Sequence, residues 1–163
     1  MAQEFAFNHA RLCRRLVLAA TSPGVLMVPG SLSTMLKLVT PRRYYDRDYL
    51  RRNAAKIYGG AFGRDLGLVD QHFQGMTGTG GLGYALQLLA MSGWTSLPWL
   101  PLIRQPTLVL MGSDDQLVRP INGRILASLI PRAHLEMIED GHMFIVSRPQ
   151  ETAAVIEAFL SRP

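Results

Sequence analysis

The sequence predicts an α/β protein with a parallel sheet of about three strands. Three short apolar runs with turn residues at their ends, at residues 16–21, 107–111 and 134–138, are typical of buried strands. Helical periodicity follows the second run over residues 121–130 and the third run over residues 152–160. This strand–helix–strand–helix order is the pattern of a parallel sheet that is covered by helices.

A long segment separates the first predicted strand from the second. Residues 22–105 contain most of the glycines and both tryptophans, and their patterning favours several short helices. A crossover between two parallel strands needs only about a dozen residues. We therefore interpret the segment as an insertion, and assign residues 1–22 and 105–163 to a partial α/β core and residues 23–104 to a helical lid.

Acidic residues and a histidine follow the second and third predicted strands. Asp114 and Asp115 lie in the turn after the second strand, and His142 follows Gly141 after the third. The separation of 142 − 115 = 27 residues leaves room for one helix and one strand. Because an acid can orient an imidazole that accepts a proton from a hydroxyl, we interpret this pattern as the acid and the base of a catalytic triad. Both aspartates remain candidates at this point, since aspartate is common in turns without any function.

Several stretches of the chain resemble proteins of the α/β-hydrolase fold. The general resemblance lies in RQPTLVLMGSDDQLV, LASLIPRAHLEMIEDGHMF and VIEAFL. A narrower resemblance, to intracellular poly(3-hydroxyalkanoate) depolymerases of the medium-chain-length type, runs along essentially the whole chain. It rests on RLVLAATSPGVLMVPG, PRRYY, IYGGAFGRD, GWTSLPWL and IRQPTLVLMGSDD. The resemblance implies the C-terminal half of an α/β-hydrolase sheet with an inserted helical lid.

The resemblance also implies an activity. Such enzymes are serine esterases that cleave the ester bonds of a 3-hydroxyalkanoate storage polyester through an acyl-enzyme, with no cofactor. The family spacing G-x-x-D after the strand selects Asp115 as the triad acid, with Asp114 as the runner-up, and His142 becomes the general base. The chain departs from the family in the acid's turn, where Arg119 stands at a position that often has proline and Pro120 follows one step later.

The nucleophile is not identifiable in this sequence. In the chain order Ser–Asp–His the serine comes first, inside G-x-S-x-G on a strained turn, and no G-x-S-x-G occurs in the 163 residues. The donors of the oxyanion hole are equally unassigned, because they come from the nucleophile's neighbour and from an earlier loop. The isolated chain is therefore expected to be inactive. We reject four serines because none lies in a glycine-flanked elbow: Ser22, Ser92, Ser113 and Ser147.

Bulky apolar side chains are candidates for the wall of a substrate pocket. Trp94 and Trp99 lie in the insertion, and Met143 follows the predicted base. Methionine and tryptophan suit an adaptable apolar surface, and an apolar polyester would bind it through its alkyl side chains at about 0.8 kcal/mol for each buried methylene. Packing within the insertion is the alternative role.

The positive charge of the chain is concentrated in one stretch. Residues 41–56 contain six lysines and arginines against two aspartates, with interleaved tyrosines. Arginines and aromatic residues can bind nucleic acid, but no nucleic-acid motif accompanies this stretch, so we predict a solvated helix face and no nucleic-acid partner. The basic residues 42–52 are a candidate contact for the anionic coat of a polyester granule.

Other features predict the compartment. No apolar run of eighteen residues could form a transmembrane segment, and residues 1–15 lack a secretion-type signal pattern. The single Cys13, interpreted as a buried structural thiol, fits a reducing compartment. The remaining histidines show no metal-type spacing and are interpreted as structural: His9, His72 and His134. We thus predict a cytoplasmic protein without a metal site.

Two other functions remain open on the sequence alone. One is a general esterase with a different acyl group. The other is a non-catalytic module that binds an apolar ligand or a granule surface.

Overall fold

The computed structural model describes residues 1–76 and 80–162, and these contain a three-stranded sheet. Its strands are β1 (Leu16–Ala19), β2 (Thr107–Gly112) and β3 (Ala133–Ile138), in the spatial order β1–β2–β3. Both pairings are parallel. The predicted α/β fold with a parallel sheet of about three strands is therefore confirmed.

The ends of the strands differ slightly from the prediction. The strand β1 ends at Ala19, two residues earlier than expected, because Ala20 adopts a φ of +45° that an extended strand cannot accommodate. The strand β2 continues to Gly112, and β3 begins at Ala133. The later end of β2 brings the acidic turn directly onto the end of the sheet.

Helices precede, separate and follow the strands. The helix α1 (Ala2–Asn8) precedes β1, and α7 (Pro120–Leu129) connects β2 to β3. The chain closes with α8 (Phe144–Ser147) and α9 (Pro149–Leu160), each of which follows β3. The segment between β1 and β2 contains the helices α2 (Leu32–Val39), α3 (Arg47–Ile57), α4 (Gly60–Arg64), α5 (Leu66–Gln74) and α6 (Gly80–Ser92).

The central strand is buried on both faces. All six residues of β2 are buried, and its side chains alternate between two apolar clusters, as the pleat of a strand requires. Val109 and Met111 join a cluster that includes Ala6 of α1 and Leu126 of α7. On the opposite face a second cluster is formed by Leu108, Leu110, Ile138, Phe144 and Phe159. Helices therefore cover both faces of the sheet, as parallel strands require.

The helical segment has an apolar cluster of its own. It is formed by residues of α3, α4 and α5 and of the turn between α3 and α4: Leu50, Ala54, Ile57, Tyr58, Phe62 and Val69. Aspartate side chains cap two of these helices, Asp46 through the N–H of Tyr49 and Asp65 through the N–H of Gly67. The division into a core and a lid at residues 23 and 104 stays a prediction.

Two further observations concern Cys13 and the lengths of the helices. Cys13 is partly buried against the first cluster, and burial raises the pKa of its thiol. Within residues 1–76 and 80–162, no helix has the length and apolar character that crossing a bilayer would demand.

We expect Leu110→Ala to lower the free energy of unfolding by about 3 kcal/mol, because it removes buried methyl groups from the second cluster and leaves a cavity. Leu82→Ala is the matched control, since Leu82 lies on α6 with 77% of its surface exposed, and it should change stability by less than about 0.5 kcal/mol. Urea unfolding followed by circular dichroism measures both values. Equal effects of the two substitutions would contradict this description of the core.

Candidate active site

Two chain segments leave the sheet side by side. Gly112 at the end of β2 pairs with Ile138 at the end of β3. The segments that follow, residues 113–118 (the acid turn) and residues 139–142 (the histidine loop), stay in contact. The N–H of Ser113 donates to Ile138 O at 2.9 Å, and the N–H of Asp114 donates to Asp140 O at 3.0 Å. The register of two strands therefore brings the predicted acid and base to the same edge.

Asp115 and His142 contact each other at this edge. Asp115 Oδ2 lies 2.8 Å from His142 Nδ1. Asp115 is only 2% exposed, and its Oδ1 accepts hydrogen bonds from the N–H groups of Leu117 at 2.9 Å and Val118 at 2.8 Å. These donors satisfy a buried carboxylate and fix its direction. When Nδ1 carries the proton that faces Asp115, Nε2 of the imidazole is an acceptor.

Tyr58 supports His142 on a second side. The backbone N–H of His142 donates to Tyr58 O at 2.7 Å. The tyrosine ring stacks on the imidazole with a centroid separation of 6.4 Å and an interplanar angle of 15°. Because the histidine side chain is only 20% exposed, these contacts and Asp115 define the orientation of the ring.

Asp114 points away from His142. Its Oδ2 accepts a hydrogen bond from the N–H of Gly60 at 2.8 Å, and its Oδ1 accepts one from Gln116 Nε2 at 2.7 Å. The structure thus brings Asp115 and His142 together, and it directs the runner-up acid to the first residue of α4.

A third aspartate, which sequence reasoning did not single out, lies in the histidine loop. Asp140 is 2% exposed. Its Oδ1 accepts hydrogen bonds from the N–H groups of Ala61 at 2.5 Å and Gly141 at 2.7 Å, and its Oδ2 accepts one from Ser147 Oγ. Burial raises the pKa of Asp140, but the hydrogen bonds from Ser147, Ala61 and Gly141 outweigh it and leave the pKa below its usual value.

The predicted substrate-binding residues lie in two places. The rings of Trp94 and Trp99 pack edge to face with centroids 6.1 Å apart, and Trp99 also stacks on Phe7 at 5.1 Å. Trp94 lines a cavity of about 250 Å³ together with Ala19 at the end of β1. Met143 packs against the apolar cluster of the helical segment. The ring that stacks on His142 is that of Tyr58, rather than either indole.

Other histidines and serines have partners elsewhere. His134 Nε2 lies 2.7 Å from Glu136 Oε1 on an exposed part of β3. The ring of His72 packs edge-on against Phe62, and burial lowers the pKa of its imidazole. Ser147 Oγ contacts Asp140, and Ser92 Oγ donates to Leu89 O at 2.7 Å. These hydroxyls are engaged in local hydrogen bonds.

Comparison with known proteins identifies the fold. Residues 1–149 match the family model described as alpha/beta hydrolase fold. The chain is 46% identical over 162 residues to a poly(3-hydroxyalkanoate) depolymerase of Ectopseudomonas oleovorans. This match covers 99% of the chain and 57% of that protein, so the chain spans a little more than half the length of this relative.

Solved structures agree with the family match. An enol-lactonase from Burkholderia xenovorans LB400 is 22% identical with a TM-score of 0.69, and the match covers 99% of this chain and 61% of that one. A thermophilic esterase from Thermogutta terrifontis is 21% identical with a TM-score of 0.74, over 98% of this chain and 60% of that one. At these identities the likeness shows the fold alone.

The hydrogen bonds to Asp140 should make the stability of the chain depend on pH. Because the folded pKa lies below the unfolded value of about 3.9, the carboxylate stabilises the fold at neutral pH and this contribution is lost as the pH falls through the folded pKa. We expect Asp140→Asn to lower the free energy of unfolding by about 2 kcal/mol at pH 7, since hydrogen bonds to a charged acceptor are the stronger ones. At pH 3 the difference should be smaller.

Urea unfolding at the two pH values measures this difference. Asp48→Asn is the control, because Asp48 is exposed on α3, and its effect should be small at both pH values. A loss of stability in Asp140→Asn that is as large at pH 3 as at pH 7 would contradict the charged state of Asp140.

Proposed function

We propose that this chain, which belongs to the α/β-hydrolase family, supplies the acid and the base of a serine ester hydrolase. In this proposal Asp115 is the acid and His142 is the base. The observation that carries it is the 2.8 Å contact between Asp115 Oδ2 and His142 Nδ1 at the carboxyl ends of adjacent parallel strands. Catalytic groups are commonly found at this edge of such sheets.

The contact suits a specific sequence of proton transfers. With Nδ1–H donated to Asp115, Nε2 of His142 removes the proton of a serine hydroxyl while the serine oxygen attacks the ester carbonyl carbon. The imidazolium, stabilised by the Asp115 carboxylate, then gives that proton to the departing alcohol and leaves an acyl-enzyme. Water releases the acid by the same route, with His142 again as general base.

The nucleophile in this proposal is a serine outside the 163 residues, because no G-x-S-x-G occurs among them. The donors that would stabilise the oxyanion belong to the same missing machinery. The isolated chain accordingly lacks the group that forms the covalent intermediate, and we propose that it hydrolyses no ester at enzymatic rates.

The proposed substrate class comes from the similarity to the Ectopseudomonas oleovorans protein. The 46% identity to a poly(3-hydroxyalkanoate) depolymerase supports a polyester of 3-hydroxyalkanoates. Residues 23–104 act as a lid in this proposal, and Trp94, Trp99 and Met143 contribute apolar surface for alkyl side chains. A water-insoluble polyester is an apolar substrate, and such a lid can exclude water from the acyl-enzyme.

The proposed location is the cytoplasm, at the surface of polyester granules. In the basic stretch Arg42 pairs with Asp46, and Arg47 and Arg51 pair with Asp70. These ion pairs neutralise part of the positive surface, and Arg52 on the same helix is exposed. Loss of co-sedimentation with granules in Arg52→Glu would support contact with an anionic coat, and unchanged co-sedimentation would reject it.

A chimera tests the catalytic roles. The part of the Ectopseudomonas oleovorans depolymerase that this chain does not match, placed before residue 1, is designed to restore a nucleophile. We expect a fluorophosphonate probe to label the chimera and to leave the 163-residue chain unlabelled. In the chimera, Asp115→Asn and His142→Ala should each lower kcat on a p-nitrophenyl ester by about 10³- to 10⁴-fold.

His134→Ala is the matched histidine control for the chimera, because His134 is exposed and pairs with Glu136. It should retain kcat within about twofold, as a surface change does. Stoichiometric labelling of the isolated chain, or full activity of Asp115→Asn, would refute the proposed roles.

The same chimera tests the substrate. We expect it to release 3-hydroxy acids from a medium-chain polyester. Met143→Ala and Trp94→Ala should raise KM for medium-chain esters about tenfold and leave KM for acetyl esters nearly unchanged, since each buried methylene is worth about 0.8 kcal/mol. Met91→Ala is the control, because Met91 is 69% exposed.

The outcomes of this experiment separate the three functions. Hydrolysis of short esters without release of acid from polyester would indicate a general esterase. Binding to polyester without hydrolysis of any ester would indicate a non-catalytic module.

A further inference from the structure

We propose that residues 58–61 of the helical segment, here called the brace, position His142, and that Asp140 is the residue that fixes the brace to the histidine loop. This inference rests on the proposed role of His142 as the base. It concerns positioning residues, which act through His142 and do not contact the substrate.

The brace contacts both segments that carry the proposed catalytic residues. The N–H of Gly60 donates to Asp114 Oδ2 in the acid turn at 2.8 Å. The N–H of Ala61 donates to Asp140 Oδ1 in the histidine loop at 2.5 Å. Tyr58 O accepts the N–H of His142 at 2.7 Å. Three hydrogen bonds therefore connect four consecutive residues to the two segments that follow β2 and β3.

The backbones in this region are too close for any side chain between them. Gly59 and Gly60 have φ values of +68° and +51°, which residues with a Cβ rarely adopt. A Cβ on Gly60 would lie 1.9 Å from Gly141 N, and a Cβ on Gly59 would lie 2.0 Å from Asp114 O. The two glycines thus allow the brace to lie directly against both segments.

Asp140 is the side chain that completes this contact. Its Oδ1 accepts one hydrogen bond from Ala61 in the brace and one from Gly141, the residue before His142. Its Oδ2 faces the other way, towards Ser147, and Arg148 Nε lies 3.8 Å from it. Removal of the carboxylate would leave two N–H groups without their acceptor, a state that buried donors strongly disfavour.

The brace holds His142 more directly than it holds Asp115. Asp115 receives the N–H groups of Leu117 and Val118 from its own turn. His142 receives its backbone hydrogen bond and its stacking partner from Tyr58. A displaced brace would therefore move the imidazole more than the carboxylate, and the contact between Nδ1 and Oδ2 would lengthen.

NMR of the ¹⁵N-labelled 163-residue chain tests this inference. In the unmodified chain we expect His142 to populate the Nδ1–H tautomer, with a downfield Nδ1 proton that is shielded from exchange. Asp140→Ala should reduce the population of that tautomer at least twofold and broaden or abolish the downfield signal. Asp140→Asn should restore both signals, because its amide oxygen can accept the two N–H groups. Ser147→Ala is the matched control, since it removes only the donor to Oδ2, and it should leave both signals unchanged.

Unchanged imidazole signals in a folded Asp140→Ala variant would overturn the inference. If that variant does not fold, amide hydrogen exchange in the unmodified chain and in Asp140→Asn decides instead. The amides of Ala61, Gly141 and His142 should show protection factors within about twofold of one another. In Asp140→Asn, whose neutral oxygen is a weaker acceptor, the three protection factors should fall by the same factor, as those of one opening unit do. Independent exchange of these three amides would reject the brace.

The NMR signals of His142 test this inference separately from the proposed function, because they are recorded without an ester and do not depend on hydrolysis. Intact signals in the unmodified chain that respond to Asp140→Ala, together with an inactive chimera, would reject the hydrolase and retain the brace. An active chimera in which Asp140→Ala leaves the imidazole signals unchanged would support the hydrolase and reject the brace.

Discussion

The parallel pairing of β2 with β3 is the constraint on which the site depends. The two strands are paired from Thr107 with Ala133 to Gly112 with Ile138, so both end at the same edge of the sheet. Apolar clusters on the two faces of β2 fix its position relative to α7 and α9. Packing in the core therefore fixes the position of the strand ends relative to the helices. As a result Asp115 and His142, which are 27 residues apart in sequence, meet at hydrogen-bond distance.

The helical segment is attached to the sheet by short polar contacts as well as by apolar packing. Its two ends meet in an antiparallel bridge between Gly24 and Thr95. Near its beginning, the N–H and C=O of Val28 both bond to the side chain of Asn122 on α7, each at 2.8 Å. The brace is a third attachment. Because buried polar groups of this kind require well-placed partners, the three attachments specify one position of the helices over the sheet edge.

Sequence patterns predicted the sheet, and the proximity of Asp115 and His142 at its edge, for physical reasons. A strand that is buried on both faces must be a continuous apolar run, and TLVLM is such a run. A side chain that follows directly on such a strand is placed by the strand itself. Asp115 and His142 are both close to a strand end, so the local sequence was enough to predict that they lie near each other.

The choice between Asp114 and Asp115 did not follow from local sequence, because two adjacent carboxylates in a turn have the same composition around them. Only the spacing that the chain shares with its family selected Asp115. In the structure Asp115 is buried and accepts the N–H groups of Leu117 and Val118, whereas Asp114 accepts the N–H of Gly60. The catalytic assignment itself remains a prediction.

The brace could not be predicted, because its contacts are far apart in the chain. Ala61 is 79 residues from Asp140, and Gly60 is 54 residues from Asp114. In the sequence, Gly59 and Gly60 look like an ordinary break between two helices. Asp140, in front of a glycine, looks like an ordinary turn residue. The only sequence signal was that the chain contains both a glycine pair and two acidic turns. One sequence does not reveal that these segments contact each other.

The glycine contact between Gly60 and Gly141 constrains how this protein can diverge. A single methyl group on either residue has no space, so an exchange at one position demands a compensating shift at the other. Helix α6 is under no such restriction, because a Cβ on Gly81 would meet no atom within 4 Å and the helix presents large exposed side chains to solvent. The sequence of α6 can therefore drift over evolutionary time, while the contact between Asp115 and His142 is inherited as a unit with residues 58–61. An exchange of the helical segment with that of another α/β-hydrolase would retain that contact only if its boundaries leave these four residues in place.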